Sequence, residues 1–87
     1  MTKISSIEFR VRNLLASVSY GLTKIDILNA EEFLEHNEIG VAFELICDQL
    51  YENNSSVSPD IVCEISRLAC EMELEENTWN FLKKNVV

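Results

Sequence analysis

The 87-residue sequence is 47% hydrophobic and 25% charged, which excludes a disordered tail and leaves room for only one small hydrophobic core. Its formal net charge is −8, and all but one of its 15 acidic residues lie between positions 26 and 76, where Arg67 is the only basic residue. Such a charge repels phosphate backbones, so it argues against nucleic acid as a direct ligand and favours a basic protein partner.

Apolar residues recur at helical spacing along most of the chain, and no segment shows the alternation that is typical of a β-strand. Because the chain contains only two glycines and one proline, we expect its helices to be joined by short connections. The sequence therefore predicts an all-α fold, a small bundle of four to five helices in a single domain at residues 1–87. The predicted helices span about residues 4–19, 27–37, 38–53, 59–74 and 77–84.

Residues with special backbone or capping properties mark the predicted helix ends. Gly21 is expected to close the first helix in the left-handed conformation that glycine tolerates. Either Asp26 or Asn29 is expected to cap the second helix. Ser58 and Pro59 predict the start of the fourth helix, because serine is a good cap and proline fits the first helical position.

The third predicted helix has an apolar side and an acidic side. Its apolar residues fall together on a helical wheel: Ile39, Ala42, Phe43, Ile46 and Leu50. Glu44, Asp48 and Glu52 lie almost opposite, and like charges one turn apart repel each other. Mixed charges would keep this side solvated without repulsion, so the pattern favours a positively charged partner over a surface that only solvates the protein. Gly40 is interpreted as a point of close packing against a neighbouring helix.

Cysteine usage and the N-terminal sequence indicate an intracellular protein. Cys47, Cys63 and Cys70 form no C-x-x-C pair, and we interpret them as reduced residues with a packing role. Disulfides are rare in the cytoplasm, which agrees with the odd number of cysteines. The chain lacks a signal peptide and any apolar run of about 20 residues, so we expect a cytoplasmic protein that makes no contact with a membrane.

The sequence offers little for catalysis. His36 is the only histidine, and we expect it near the end of the second helix, where a cation favours the helix dipole. Closely spaced zinc ligands, a calcium-binding loop and a glycine-rich phosphate loop are all missing from the sequence. We therefore predict that the protein is not an enzyme and that it holds no metal or cofactor. A hydrolase that depends on His36 is the weakest alternative.

Acidic residues and two aromatic residues form the predicted partner-binding set. Tyr51 and Trp79 are amphipathic aromatics of the kind that anchor interfaces, although packing in the core is the stronger interpretation for Trp79. The full set is Glu35, Glu38, Glu44, Asp48, Tyr51, Glu52, Glu71, Glu73, Glu75 and Trp79.

Two stretches of the sequence resemble a known family. The run EHNEIGVAFELICDQLYE at residues 35–52 is followed by a Ser-Pro helix start and then by ISRLACEMELEENTW at residues 65–79. This arrangement resembles the MafI-type immunity proteins of bacterial contact-dependent growth inhibition and polymorphic toxin systems, over about residues 25–82. The positions that correspond to the family pattern are Gly40, Val41, Ala42, Glu44, Leu45, Ile46, Cys47, Asp48, Leu50, Tyr51 and Glu52.

The sequence also departs from the family pattern. Asn37 occupies a position where the family usually has glycine, and Val41 and Phe43 vary its apolar choices. The family pattern is mainly a fold pattern, so the predicted contact residues rest on charge.

The resemblance implies a small cytoplasmic helical protein that binds and neutralises the toxin domain delivered by a neighbouring cell, typically a nuclease and often an RNase. Because nucleases are basic, an acidic surface could cover the substrate-binding groove of the toxin in a 1:1 complex. The alternative is an acidic helical adaptor or regulatory protein that binds a basic, nucleic-acid-binding protein.

Overall fold

The computed structural model describes residues 3–87, with side chains from residue 6 onward. It confirms the all-α fold. The four α-helices are α1 (Lys3–Ser17), α2 (Lys24–Glu35), α3 (Ile39–Glu52) and α4 (Pro59–Glu71). Short 3-10 helices follow α1 at Ser19–Gly21 and complete the chain at Glu76–Thr78 and Asn80–Asn85. In residues 3–87 the only β-type pairing is an isolated parallel bridge between Val57 and Val86.

The α-helices alternate in direction, and this gives the bundle two distinct ends. α1 packs against α2, α3 and α4, while residues 80–85 pack against both α3 and α4 and close the bundle. The hydrogen-bonded end contains the α1–α2 and α3–α4 connections, residues 18–23 and 53–58, which are bonded to each other. The open end contains the α2–α3 connection at residues 36–38 and the segment at 72–75 that follows α4, together with Ile7 of α1.

A single core runs between these two ends. It draws on every α-helix, on the connection before α4 and on the C-terminal 3-10 segment, so each element is held by the others. The buried hydrophobic residues are Val11, Leu14, Leu15, Val18, Ala30, Leu34, Ala42, Phe43, Ile46, Cys47, Leu50, Val57, Ile65, Leu68, Ala69, Trp79 and Leu82.

Helix α2 begins three residues earlier than predicted, because Thr23 caps it. The Thr23 hydroxyl accepts a hydrogen bond from the Asp26 N–H at 3.1 Å, and the Asp26 carboxylate accepts one from the Thr23 N–H at 3.0 Å. This reciprocal pair is a capping box. The predicted caps, Asp26 and Asn29, are therefore wrong. Ser58 caps α4 as predicted, with its hydroxyl accepting from the Ile61 N–H.

Asp26 is also the centre of a buried polar network. Its side chain accepts hydrogen bonds from Gln49 Nε2 at 3.0 Å and from Asn53 Nδ2 at 3.3 Å, and the residue is only 7% exposed. Burial alone would raise the pKa of Asp26, but the hydrogen bonds from Thr23, Asn53 and Gln49 outweigh burial and lower it. Asp26 therefore remains ionised and ties the start of α2 to the end of α3.

Three of the helices end in the same backbone motif, and in each case a residue other than glycine takes the left-handed conformation. These residues are Asn37 (φ 64°), Asn54 (φ 52°) and Glu73 (φ 58°). After α4, the Leu74 N–H donates to the Ala69 carbonyl at 2.9 Å and the Glu73 N–H donates to the Cys70 carbonyl at 3.1 Å. This is the Schellman arrangement. It ends α4 at Glu71, three residues before the predicted end.

Neither glycine has the role that was predicted for it. Gly21 does not adopt a positive φ. It allows close packing, because a Cβ added there would lie 2.7 Å from the Ser55 Cβ. At Gly40, an added Cβ would have no heavy atom within 4 Å, so the interpretation of Gly40 as a point of close helix packing is wrong.

The last predicted helix, at about residues 77–84, is present as two 3-10 helices. A 3-10 helix has three residues per turn, so residues three apart lie on the same side. Trp79 and Leu82 have this spacing, and both are buried. Beyond them, the Val57 N–H donates to the Asn85 carbonyl at 3.0 Å, which attaches this segment to the hydrogen-bonded end.

Candidate partner-binding surface

Helix α3 carries an exposed row of carboxylates, which we call the α3 ridge: Glu44, Asp48 and Glu52. Partial burial, and then the neighbouring charge of Glu52, raise the pKa of Asp48. The inward side of α3 is occupied by core residues, so the ridge forms the outer surface of the helix. The predicted acidic side is therefore present, and its charges repel each other.

None of the ridge carboxylates takes part in an ion pair with the side chains that the structure describes. The ion pairs found among those side chains join Arg10 to Glu64, Arg10 to Glu71 and Arg12 to Glu8. The arginines of α1 are thus engaged within the chain, and the negative charge of the ridge is left for solvent or for a partner.

Arg10 links α1 to α4 through two carboxylates. Its Nε and Nη2 atoms donate to the two oxygens of Glu64 at 3.1 and 3.3 Å, and Nη1 donates to Glu71 Oε2 at 2.6 Å. Glu71 belongs to the predicted partner-binding set, but here it contributes to the packing of α1 on α4. Glu71 and Arg10 are 61 residues apart, so no local pattern in the sequence predicts this pair.

Tyr51 stands beside the ridge and is 43% exposed. Its ring packs edge-on against Phe81, with the ring centroids 5.2 Å apart and the planes inclined at 69°. A shallow groove of about 420 Å³ lies here, lined by Asp48, Gln49, Tyr51, Glu52 and Phe81. Aromatic rings next to carboxylates suit a guanidinium or ammonium group. Phe81 is not in the predicted partner-binding set, because only the folded C-terminal segment brings it to α3.

Trp79 lies in the core and is 9% exposed. The ammonium group of Lys83 sits 5.4 Å from the centre of its ring, which places a cation on the remaining accessible face. An interface anchor needs an accessible ring, so Trp79 is the member of the predicted set that is least able to contact a partner.

The other predicted carboxylates gather at the open end, away from the ridge. Glu35 is the last residue of α2 and Glu38 immediately precedes α3, while Glu73 and Glu75 follow α4. All four are exposed. Apart from Glu71, which pairs with Arg10, and Trp79, which is in the core, the predicted set therefore divides into two places, the α3 ridge with Tyr51 and the rim of the open end.

The remaining reactive side chains have structural surroundings. His36 ends α2 as predicted, and its Nδ1 lies 2.8 Å from the Glu32 carbonyl oxygen. Burial, with a smaller effect from Asp48 and Glu44, raises the pKa of the Cys47 thiol and keeps it protonated.

The cysteines of α4 differ from Cys47. Cys63 and Cys70 are exposed, so the interpretation as packing residues is wrong for these two, which lie outside the apolar side of α4 formed by Ile65, Leu68 and Ala69. Among the described residues there is no group of three or more His, Cys, Asp or Glu side chains that could hold a metal ion. No helix in residues 3–87 is both long and apolar enough to cross a membrane.

No protein-family model, no curated protein and no solved structure matches this chain. The resemblance to the MafI-type family therefore stays a prediction, and the function is inferred from the geometry and charge of the surface.

Proposed function

We propose that this is a cytoplasmic immunity protein that binds the cationic nuclease domain of a bacterial toxin and covers its substrate-binding groove in a 1:1 complex. The observation that carries the proposal is the α3 ridge, where Glu44, Asp48 and Glu52 share one helix surface and pair with none of the described basic side chains. A nuclease that binds RNA presents basic groups at phosphate spacing, and a row of carboxylates can occupy the same groups.

The energetics of the ridge favour a basic partner. Like charges one turn apart cost a few tenths of a kcal/mol per pair, roughly 0.2–0.5, in an isolated helix. A cationic partner removes this repulsion when it binds. The negative electrostatic field of the ridge also speeds the approach of such a partner at low salt. Tyr51, with Phe81 behind it, adds an aromatic surface of the kind that carries binding energy at the centre of an interface.

The proposal is tested with a cationic nuclease toxin domain whose gene neighbours the gene of this protein. The two proteins are mixed and separated by gel filtration at low and at high salt, and the RNase activity of the mixture is measured. We expect one shared peak, loss of RNase activity at equimolar protein and weaker binding at high salt. Absence of a shared peak at both salt concentrations would contradict the proposal. Capture of a DNA-binding protein from cells that carry the complete locus would instead support a regulatory role.

A charge-reversal variant locates the contact on the protein. Glu44→Lys combined with Asp48→Lys is expected to lower the association rate at least tenfold, because it reverses the local field while the core side of α3 is untouched. The matched control is Glu31→Lys with Glu32→Lys, which makes the same change in net charge on the exposed surface of α2. Equal association rates for the two variants would move the contact away from the ridge.

A further inference from the structure

A second groove lies at the open end of the bundle and is unrelated to the ridge. It has a volume of about 300 Å³ and lies between α1, the start of α3 and the end of α4. The residues that line it are Ile7, Asn37, Ile39, Gly40, Met72 and Leu74. Four of the six are large apolar residues that are only partly buried. The volume is at the lower limit of small-molecule pockets, ~300–1,000 Å³, and suits one inserted side chain.

Gly40 leaves this groove open. A Cβ added at Gly40 would have no heavy atom within 4 Å, so packing within the chain does not require glycine here. Gly40 is the second residue of α3, where glycine is less favourable than alanine by less than the roughly 0.5–1 kcal/mol that it costs in a helix interior. Glycine thus stands at a groove-lining position that has space for a side chain.

Two glutamates lie next to lining residues of the groove in the chain. Glu38 lies between the lining residues Asn37 and Ile39, and Glu73 lies between the lining residues Met72 and Leu74. Both glutamates are exposed, and neither is ion-paired with the side chains that the structure describes.

Glu73 also occupies an unfavourable backbone conformation. Its φ of 58° is in the left-handed region, which costs a residue with a Cβ roughly 1 kcal/mol more than glycine. Negative charge is thus kept at the groove at the expense of stability. An apolar floor with an acidic edge is complementary to an apolar side chain that has basic neighbours.

We propose that this groove accepts one apolar side chain from a basic segment of the partner, with lysines or arginines on either side of that side chain pairing with Glu38 and Glu73. The inference rests on the proposed function, since the segment belongs to the same cationic protein, and it adds a second point of contact. The acidic edge disfavours a second copy of this chain, whose net charge is −8.

The first test fills the groove without touching its carboxylates. Gly40→Leu places a side chain in the open space, and Gly40→Ala adds only the Cβ. Both variants are expected to fold, which thermal unfolding checks. In stopped-flow or surface-based kinetics with the toxin domain, Gly40→Leu should raise the dissociation rate at least tenfold and Gly40→Ala less than about threefold, with the association rate unchanged in both. Equal dissociation rates in the two variants would overturn the proposal.

The second test does not depend on the toxin. A short synthetic peptide with one phenylalanine between two pairs of lysines is titrated into the labelled protein, and a peptide with alanine at the centre is the control. We expect NMR shifts of the methyl groups of Ile39, Met72 and Leu74 with the phenylalanine peptide only, and none of these in Gly40→Leu. Equal shifts with both peptides, or shifts confined to the α3 ridge, would show that the groove is not the site.

Together, the two tests distinguish failure of the proposed function from failure of the groove proposal. Peptide binding in the groove without toxin binding would refute the proposed function and keep the groove as a site for basic apolar segments. If the toxin binds the Gly40→Leu variant as it binds the wild type, the proposed function stands, but the proposal that the groove contacts the toxin is refuted. Self-association of the free protein that is abolished by Gly40→Leu would show that a second copy occupies the groove, and would also overturn the proposal.

Discussion

The two ends of the bundle use acidic residues in opposite ways. At the hydrogen-bonded end, Asp26 is buried and accepts hydrogen bonds from Thr23, Gln49 and Asn53. At the open end, Glu38 and Glu73 are exposed beside an apolar groove. The charge of an acidic domain therefore serves more than one purpose, because one carboxylate holds helices together while others are available to a partner.

The glycines repeat this contrast. At the hydrogen-bonded end the Gly21 carbonyl accepts from Asn53 Nδ2 at 3.0 Å and from Ser55 Oγ at 2.7 Å, and a Cβ added at Gly21 would lie 2.7 Å from the Ser55 Cβ. At the open end Gly40 touches nothing where a Cβ would be. The hydrogen-bonded end is therefore closely packed around its glycine, whereas the open end has an unfilled groove beside its glycine.

The largest loss of stability is expected from Asp26→Ala, which removes the central acceptor of the hydrogen-bonded end. The change removes the capping partner of Thr23 and leaves the amides of Gln49 and Asn53 without their acceptor. We expect a loss of about 2–4 kcal/mol in the free energy of unfolding, measured by urea denaturation at neutral pH. Loss of less than about 0.5 kcal/mol would mean that water replaces the carboxylate at little cost.

The Asp26 carboxylate also makes the stability of the protein depend on pH. The pKa of Asp26 is lowered by folding, so its stabilising contribution is complete above the unfolded value of about 3.9 and is lost as pH falls through the lower folded value. Asp26→Asn should remove this part of the acid destabilisation, so the stability of the variant should fall less steeply than that of the wild type below about pH 4. Parallel curves would contradict a lowered pKa.

Intermediate changes in stability are expected when one methyl group is added to each glycine. The change has opposite signs at the two ends of the bundle. Gly21→Ala brings a Cβ to 2.7 Å from the Ser55 Cβ and Oγ and should cost about 1–3 kcal/mol. At Gly40 an added Cβ has open space, and Gly40→Ala should gain up to about 0.5 kcal/mol, because Gly40 lies in the first turn of α3 where helix propensity counts for less than in the interior. Thermal unfolding of the two variants side by side checks this, and a loss at Gly40 would show that the groove has less space than described.

The smallest effect is expected at the left-handed positions of the open end. Glu73→Gly should raise stability by about 1 kcal/mol, because glycine adopts a positive φ without cost. Asn37→Gly is the control and should gain less, since asparagine tolerates this conformation better than glutamate. Calorimetry measures both. A larger gain at Asn37 would remove the evidence that charge is kept at Glu73 at the expense of stability.

The helical elements could be predicted because their signals are local. The Ser58-Pro59 start and the two sides of α3 depend on residues a few positions apart, and both are present in the structure. The start of α2 was missed although its signal is local, since Thr23 and Asp26 have the Ser/Thr-x-x-Asp/Glu spacing of a capping box while the prediction considered only Asp26 and Asn29 as caps. Thr23 is the cap because Asp26 stands three residues later and can reciprocate.

The candidate site could be predicted only in part, for the same reason. A helical wheel was enough to place Glu44, Asp48 and Glu52 on one surface. The engagement of Glu71 by Arg10 and the meeting of Phe81 with Tyr51 depend on contacts between distant parts of the chain. The groove beside Gly40 depends on three helices meeting, and no local pattern in the sequence reports an empty space.

The Schellman turn at Asn37 has a consequence for how the chain folds. It ends α2 and starts α3 within three residues, since the Glu38 N–H donates to the Phe33 carbonyl at 2.8 Å. Contacts between neighbours in sequence form faster than those that close long loops, so we expect the α2–α3 hairpin to assemble first. We then expect the docking of α1 on α4, which must bring Arg10 to Glu64 across 54 residues, to be the slow step in acquiring the native state.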